Sequence, residues 1–390
     1  MNTLRYMLVF LLSLTACQTS VVSETPIRDL SVLRLALQKS MDEAHIHGGL
    51  PGIAALITSS GNTVFQRSQG KRAIQLEAEV KEDDRWHLGS DTKAMTALLV
   101  AMAAEERKLA YESKVKELLN VKLAHPLNND LTVGNLLTHS SALRDVQEVQ
   151  AGKLWKELFK SKKNVSLQRL EMSLASMKEP PATVVTSGKP DRNFRYGNIN
   201  YIILGAVLEK LYETSWENLL KQKIFDKLSM TSCGYGVAGA ETETLPSQPW
   251  PHGLVQGKLV GIPPKEKADN PPMLGPAGTV HCNLRDWHKF IAELILIWRG
   301  KGVLLTDQSL SKIYFQKGNE FYVYGGWGIN DEKLKTPVFQ HSGSNTLNFA
   351  TAEFFPDKDL IVLIATNRGD DQAEKAMRDF LKAINKLVLQ

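Results

Sequence analysis

Arg85-Trp86-His87-Leu88-Gly89-Ser90-Asp91-Thr92-Lys93 runs without a break into Ala94-Met95-Thr96-Ala97-Leu98-Leu99. A strand-like stretch ends at Gly89, and an apolar-periodic helix begins there and reaches about Lys108. Ser90 stands in its first turn and Lys93 follows three positions later on the same face, so the lysine nitrogen can lie beside the serine hydroxyl. A serine needs a base to become a nucleophile, and a lysine of lowered pKa can serve as one. The same spacing also fits a capping serine followed by a solvent-facing lysine. The rest of the chain has to choose between these readings.

The 390 residues can bury one large core or two closely packed lobes, and a net charge of +5 is mild and spread out. The densest basic run, Lys153 to Lys163, is interrupted by Leu154, Trp155, Leu158 and Phe159 and reads as an amphipathic helix, so no nucleic-acid partner is expected. A first helix is predicted over residues 29 to 45. A hairpin follows, with Gly52 to Thr58 turning at Ser60-Gly61-Asn62 into Thr63 to Arg67. From about 109 to 235 the period is helical, with segments Tyr111 to Leu119, Thr132 to Leu137 behind a cap region at Asn128 to Asp130, Leu154 to Phe159, Leu167 to Met177, Asn198 to Leu211 and Trp216 to Phe225. Residues 240 to 275 read as a long loop, followed by a helix from Leu284 to Trp298. Strands are then expected at Phe321 to Ile329, Val338 to His341, Leu347 to Phe354 and Leu360 to Ala365, before a last helix from Ala373 to Leu387. Strands at both ends with tight turns and helices between them predict an α+β fold in two lobes, with one antiparallel sheet and an inserted helical lobe.

The N-terminus adds an address. Arg5 precedes Met7-Leu8-Val9-Phe10-Leu11-Leu12, a run too short to span a bilayer, and Leu14-Thr15-Ala16-Cys17 follows. This resembles a bacterial lipoprotein signal, which implies cleavage after residue 16, lipid on Cys17 and a polar tether over 17–28. An ordinary signal peptide is the alternative. Gln18 and Thr19 in place of an aspartate point to the outer membrane, with the domain facing the periplasm. Cys233 and Cys282 have no metal-ligand spacing, and the sequence leaves their pairing open; no metal and no cofactor are expected.

Two further clusters bear on Ser90. Tyr196-Gly197-Asn198 opens a helix and offers a phenol and an amide arm, while His341-Ser342-Gly343-Ser344 lies between strand candidates, with Gly343 permitting close approach to the backbone. Ser90-x-x-Lys93, Tyr196-x-Asn198 and His341-Ser342-Gly343 resemble, in order and spacing, the motifs of the serine beta-lactamase and penicillin-binding protein superfamily, and most closely its class C and D,D-carboxypeptidase-like branch. Leu136-Leu137-Thr138-His139-Ser140-Ser141, Ile224 to Met230, and Gly275-Pro276-Ala277-Gly278-Thr279 with Arg285-Asp286 match lesser landmarks of that branch.

The resemblance covers about residues 30 to 387 and implies a beta-lactamase/transpeptidase-like domain over 29–388. The sheet lobe would comprise about 29–108 and 275–388, and the helical lobe with its loops about 109–274. It implies an acyl-enzyme formed on Ser90, with Lys93 and Tyr196 moving the proton and Asn198 holding Lys93 and the substrate amide. The backbone N–H groups of Ser90 and Ser344 would form an oxyanion hole, with His341, Ser342 and Gly343 lining the substrate strand. His341 departs from the lysine of true class C enzymes, and a neutral imidazole attracts a substrate carboxylate less than a permanent cation. Asp91 is also unusual, and reads as a helix-start carboxylate favoured by the dipole. The expected activity is hydrolysis of a peptidoglycan-related amide or a small ester. A beta-lactamase proper and a non-catalytic penicillin-recognition or wall-binding lipoprotein are the alternatives. The sequence does not specify the oligomeric state.

Overall fold

The computed structural model describes residues 30–122, 125–182, 184, 192–265, 268–330 and 336–389. The expected signal peptide, Cys17 and the expected tether lie outside the described residues. In chain order the strands are β1 (Gly52–Ser59), β2 (Asn62–Gly70), β3 (Trp86–His87), β4 (Gly234–Tyr235), β5 (His252–Val255), β6 (Lys258–Gly261), β7 (Val280–Cys282), β8 (Gly328–Asn330), β9 (Val338–Ser344), β10 (Phe349–Phe355) and β11 (Leu360–Thr366). A six-stranded antiparallel sheet runs β2-β1-β11-β10-β9-β8, so the two ends of the chain meet at the β1–β11 pair, where Ile53 faces Thr366 and Ser59 faces Leu360. The β1–β2 turn places Ser60 and Gly61 at positive φ (48° and 75°), the twist that suits a two-residue hairpin.

The two-residue side-chain period sorts β1 between two cores. Ile53, Ala55 and Ile57 face the N-terminal helix Leu30–Gly48 and the C-terminal helix Asp371–Val388, through Leu37, Met41, Met377, Phe380 and Ile384. Ala54 and Leu56 face the other way, into the larger core around the helix Thr92–Glu105. With both faces covered, β10 and β11 are buried along their whole length. The helix Thr92–Glu105 is buried almost all round, as is the neighbouring Asn198–Tyr212. These are central helices, which explains why their sequences lack a polar face.

Several local expectations shift. The helix Val133–Leu137 is capped by Thr132, whose Oγ1 accepts from Asn135 N while the Asn135 side chain answers the Thr132 N–H, so Asn128 to Asp130 do not cap it. The predicted strand from Phe321 survives only as β8. Gly326 takes φ +79°, and a Cβ there would sit 2.9 Å from Tyr201 OH, so the chain turns to pass under the buried helices instead of extending. The 240–275 loop contains the β5–β6 hairpin, anchored where His252 N donates to Asn367 O at 2.9 Å.

Cys233 and Cys282 are bonded, joining the start of β4 to β7, which is also paired with β3 just before Ser90. A bridge at sequence separation 49 closes a loop whose removal from the unfolded ensemble is worth about 4 kcal/mol in the chain-entropy account. Replacing both cysteines by alanine is therefore expected to lower the unfolding free energy by up to that amount, measured as a fall in urea midpoint. An unchanged midpoint would show that the bridge does not constrain the unfolded chain.

Candidate active site

Ser90 lies in the single 3-10 turn Gly89–Asp91 that feeds the helix Thr92–Glu105. One turn on, Lys93 is fully buried, and its Nζ lies 2.9 Å from Ser90 Oγ. The nitrogen also donates to Asn198 Oδ1 at 2.8 Å and to the carbonyl of Ala277 at 2.7 Å. Burial is the main reason its pKa falls to about 7, against smaller opposing pulls from Asp145 and Asp91. With two carbonyl-type acceptors taking two N–H bonds, a neutral amine would turn its lone pair toward the serine hydroxyl. The pair is aligned for proton transfer.

Tyr196 stands beside the lysine, its ring centroid 4.9 Å from Lys93 Nζ and its OH donating to Ser90 Oγ at 2.8 Å. The residue is 41 % exposed, yet protein surrounds the phenol closely enough that loss of solvation pushes its pKa up, so it keeps its proton at neutral pH. Beneath it lies the ring of His139, 4.4 Å away between centroids. His139 Nδ1 accepts from Asn200 Nδ2 at 3.0 Å, and its position in the core holds the imidazole uncharged. The Leu136 to Ser141 landmark therefore acts as a shelf for the tyrosine.

The third cluster is built by β9 crossing the nucleophile's turn. A Cβ on Gly343 would come within 1.9 Å of Leu88 O and 2.5 Å of Ser90 N, and one on Gly89 within 2.6 Å of Ser344 N. Two bare glycines are needed for this crossing, and it brings the amides of Ser90 and Ser344 together. Ser342 Oγ bonds Thr351 Oγ1 across the sheet at 2.9 Å, and Ser344 Oγ accepts from Thr346 N at 2.9 Å. His341 is buried, with Nδ1 donating to Gly326 O at 2.8 Å and Nε2 accepting from Tyr322 OH at 3.1 Å. Burial, followed by repulsion from Lys93, lowers its pKa to about 3, so it presents a neutral ring. Tyr196, His341, Phe321, Tyr322, Gln340 and Ser342 help to line a cavity of about 310 Å³.

Ser90, Lys93, Tyr196, Asn198 and the His341–Ser344 strand thus converge as the motif spacing anticipates. Asp91 does not behave as a dipole-stabilised anion. It is 1 % exposed, neither carboxylate oxygen has a hydrogen-bond partner among the described residues, and burial drives its pKa well up. Sequence reasoning missed the Ala277 carbonyl, the stacking role of His139 and the Tyr322 partner of His341. A main-chain acceptor carries no residue-type signal, while the two aromatic roles depend on contacts between distant segments. Among the described residues no cluster of metal-ligating side chains occurs.

A beta-lactamase family model matches residues 34–386. Esterase EstB of Burkholderia gladioli is 25 % identical over 241 residues, covering 60 % of this chain and 60 % of that protein. Protein flp of Staphylococcus aureus strain N315 is 23 % identical over 191 residues, covering 48 % of this chain and 35 % of its own length. The match therefore spans less than two thirds of either relative. Among solved structures, an octameric penicillin-binding protein homologue from Pyrococcus abyssi superposes with a TM-score of 0.71 at 22 % identity, covering 90 % of this chain and 76 % of that one. D-amino acid amidase from Ochrobactrum anthropi SV3 gives 0.69 at 18 % identity, covering 91 % and 99 %. With a family model that spans nearly the whole described body, this chain belongs to the beta-lactamase family.

Proposed function

We propose that the protein is a serine hydrolase that cleaves a small ester or a peptide-like amide through an acyl-enzyme on Ser90. The observation that carries the reading is Ser90 Oγ held at 2.9 Å from Lys93 Nζ and 2.8 Å from Tyr196 OH, with a buried lysine whose pKa sits near neutrality at about 7. Ser90 Oγ forms a bond to the substrate carbonyl carbon while its proton passes to the Lys93 amine. The carbonyl oxygen, now carrying the charge, is stabilised by the Ser90 and Ser344 N–H groups, where one donor is typically worth about 3 kcal/mol. As the bond to the leaving group breaks, Tyr196 OH protonates that group and regains a proton from Lys93. Water then enters and the same sequence runs with water as nucleophile, freeing Ser90.

The neutral His341 favours acyl groups that need no permanent cation on β9, which supports the ester or amide reading over a beta-lactamase proper. The names of the esterase and the D-amino acid amidase among similar proteins lean the same way. We also propose a lipid anchor on Cys17 facing an oxidising compartment, a placement supported by the Cys233–Cys282 bridge.

Four measurements test this reading. Against a panel of p-nitrophenyl esters, D-amino acid amides and nitrocefin, the wild type should turn over an ester or amide, and Ser90→Ala should lose about ten-thousand-fold or more while keeping its thermal transition. Fluorophosphonate label on intact wild type at a site other than Ser90 would overturn the assignment. The pH dependence has a defined sign: the base works only when neutral, so kcat/KM should fall on the acid side of a limb centred near 7, and Lys93→Arg should abolish turnover at every pH. Finally, Cys17→Ala should stop incorporation of labelled palmitate in a bacterial host and release the protein from the membrane fraction.

A further inference from the structure

Behind the nucleophile's turn lies a second polar chain that the acyl-transfer chemistry does not touch. His87, on β3, is 6 % exposed, and its Nδ1 is 3.1 Å from the backbone nitrogen of Gly89. Its Nε2 is 3.0 Å from Asp269 Oδ2. The other carboxylate oxygen, Asp269 Oδ1, lies 2.9 Å from the same ring nitrogen and accepts from Asn270 N at 2.6 Å and from Asn345 Nδ2 at 2.8 Å. Asn345 is 7 % exposed and follows Ser344 directly; its Oδ1 accepts from Asn348 N at 2.9 Å and Leu347 N at 3.2 Å, which fixes the turn out of β9. One buried carboxylate thus reaches both walls of the Gly89–Gly343 crossing.

The proton positions in this chain follow from its ends. A backbone N–H can only donate, so the Gly89 amide requires a bare Nδ1 on His87. A neutral imidazole then carries its proton on Nε2, where the Asp269 carboxylate accepts it. We propose that His87 and Asp269 are positioning residues: the carboxylate locks the histidine tautomer, and the locked ring holds the Leu88–Gly89 peptide, which fixes the Gly89 backbone and through it turns the Ser90 N–H toward the oxyanion site, while Asn345 ties the Ser344 wall to the same group. The inference rests on the acyl-enzyme reading above. Gly89 is the residue most in need of such a hold, because it sits at φ +53° with the β9 backbone against it. Neither residue touches the reacting atoms. Their effect is on the direction of one amide, and small misplacements at a reacting centre are costly.

Asp269→Asn isolates the lock. The amide oxygen can keep the bonds to Asn270 and Asn345, so the new NH2 faces His87 Nε2. That NH2 donates to Nε2 in competition with the amide oxygen 2.9 Å away, so the imidazole is expected to accept there and move its proton to Nδ1, setting a donor against the Gly89 N–H; a ring that keeps its Nε2–H in this variant overturns the lock. Turnover of the ester or amide found active for the wild type should fall in kcat by about ten- to a hundred-fold, with KM within a fewfold and the thermal transition retained. The side-chain 15N shifts of His87 should report the change from an Nε2–H to an Nδ1–H ring. His87→Asn supplies rescue, because an asparagine oxygen accepts from the N–H two residues on without any tautomer. The double variant His87→Asn with Asp269→Asn should therefore regain most of the lost kcat. Should Asp269→Asn fail to fold, the comparison moves to His87→Asn against His87→Ala, the first active and the second impaired. The lock is overturned if Asp269→Asn flips the tautomer with kcat unchanged, if the double variant is as poor as Asp269→Asn, or if His87→Ala matches His87→Asn. A wild type that neither turns over any substrate in the panel nor takes label at Ser90 overturns the hydrolase reading instead, and so separates the two failures.

Discussion

Burying an amine without water around it is costly unless each of its hydrogen-bonding directions is met by protein, and Lys93 imposes that condition on three separate parts of the chain. Its partners come from the turn that feeds its own helix at Ser90, from the mouth of the helix Asn198–Tyr212, and from the carbonyl of Ala277 some 184 residues away. Each must arrive within a few tenths of an ångström. Surrounding bonds support that arrival: Thr96 Oγ1 donates to Pro276 O, Trp216 Nε1 donates to Thr96 Oγ1, and Val280 N donates to Thr92 Oγ1. The helix that carries the lysine is therefore laced along its first two turns to the 276–280 stretch, with Trp216 bracing the bond at Thr96. Solvation lost by the amine is what makes it a base, so the packing that stabilises this region and the electrostatics of the site have one origin.

Much of this could be read from the chain. Apolar period and turn residues located β1, β2, β10, β11 and the long helices to within a few residues, because both faces of the sheet are covered and continuous apolar runs have nowhere else to go. Ser90, Lys93, Tyr196 and Asn198 were legible only together, through three motifs whose order and spacing resemble a known superfamily; the Ser90–Lys93 spacing alone fits a capping serine equally well. What escaped was set by contact between distant segments. The Phe321 to Trp327 stretch has the composition of a strand, but Gly326 must clear Tyr201 and the Lys93 carbonyl, and tertiary crowding overrode local preference. Asp91 read as a charge at a helix start because nothing in its neighbours signals that this start would be sealed from water.

The same distinction separates acid–base groups from scaffolding in the site. His139 and His341 both stand close enough to Lys93 to feel its charge, and both are kept neutral by burial. A cluster of uncharged rings around one titrating amine keeps the local dielectric low without adding a competing charge. Tyr196, held between Ser90 and the His139 ring, is kept as a proton donor by the same environment.

The sheet also manages its borders. Along β2, the Arg34 guanidinium of the N-terminal helix takes the carbonyls of Val64 and Thr63 at 2.8 and 3.2 Å, occupying acceptors that another strand could otherwise use. Along β9, the short β8 pairs only with Val338 to Gln340, and among the described residues no strand pairs with His341 to Ser344 on that side. A four-residue gap is too short to template growth of a neighbouring sheet, yet long enough to hold one extended peptide unit. Solubility and access to Ser90 thus depend on the same detail: where β8 stops.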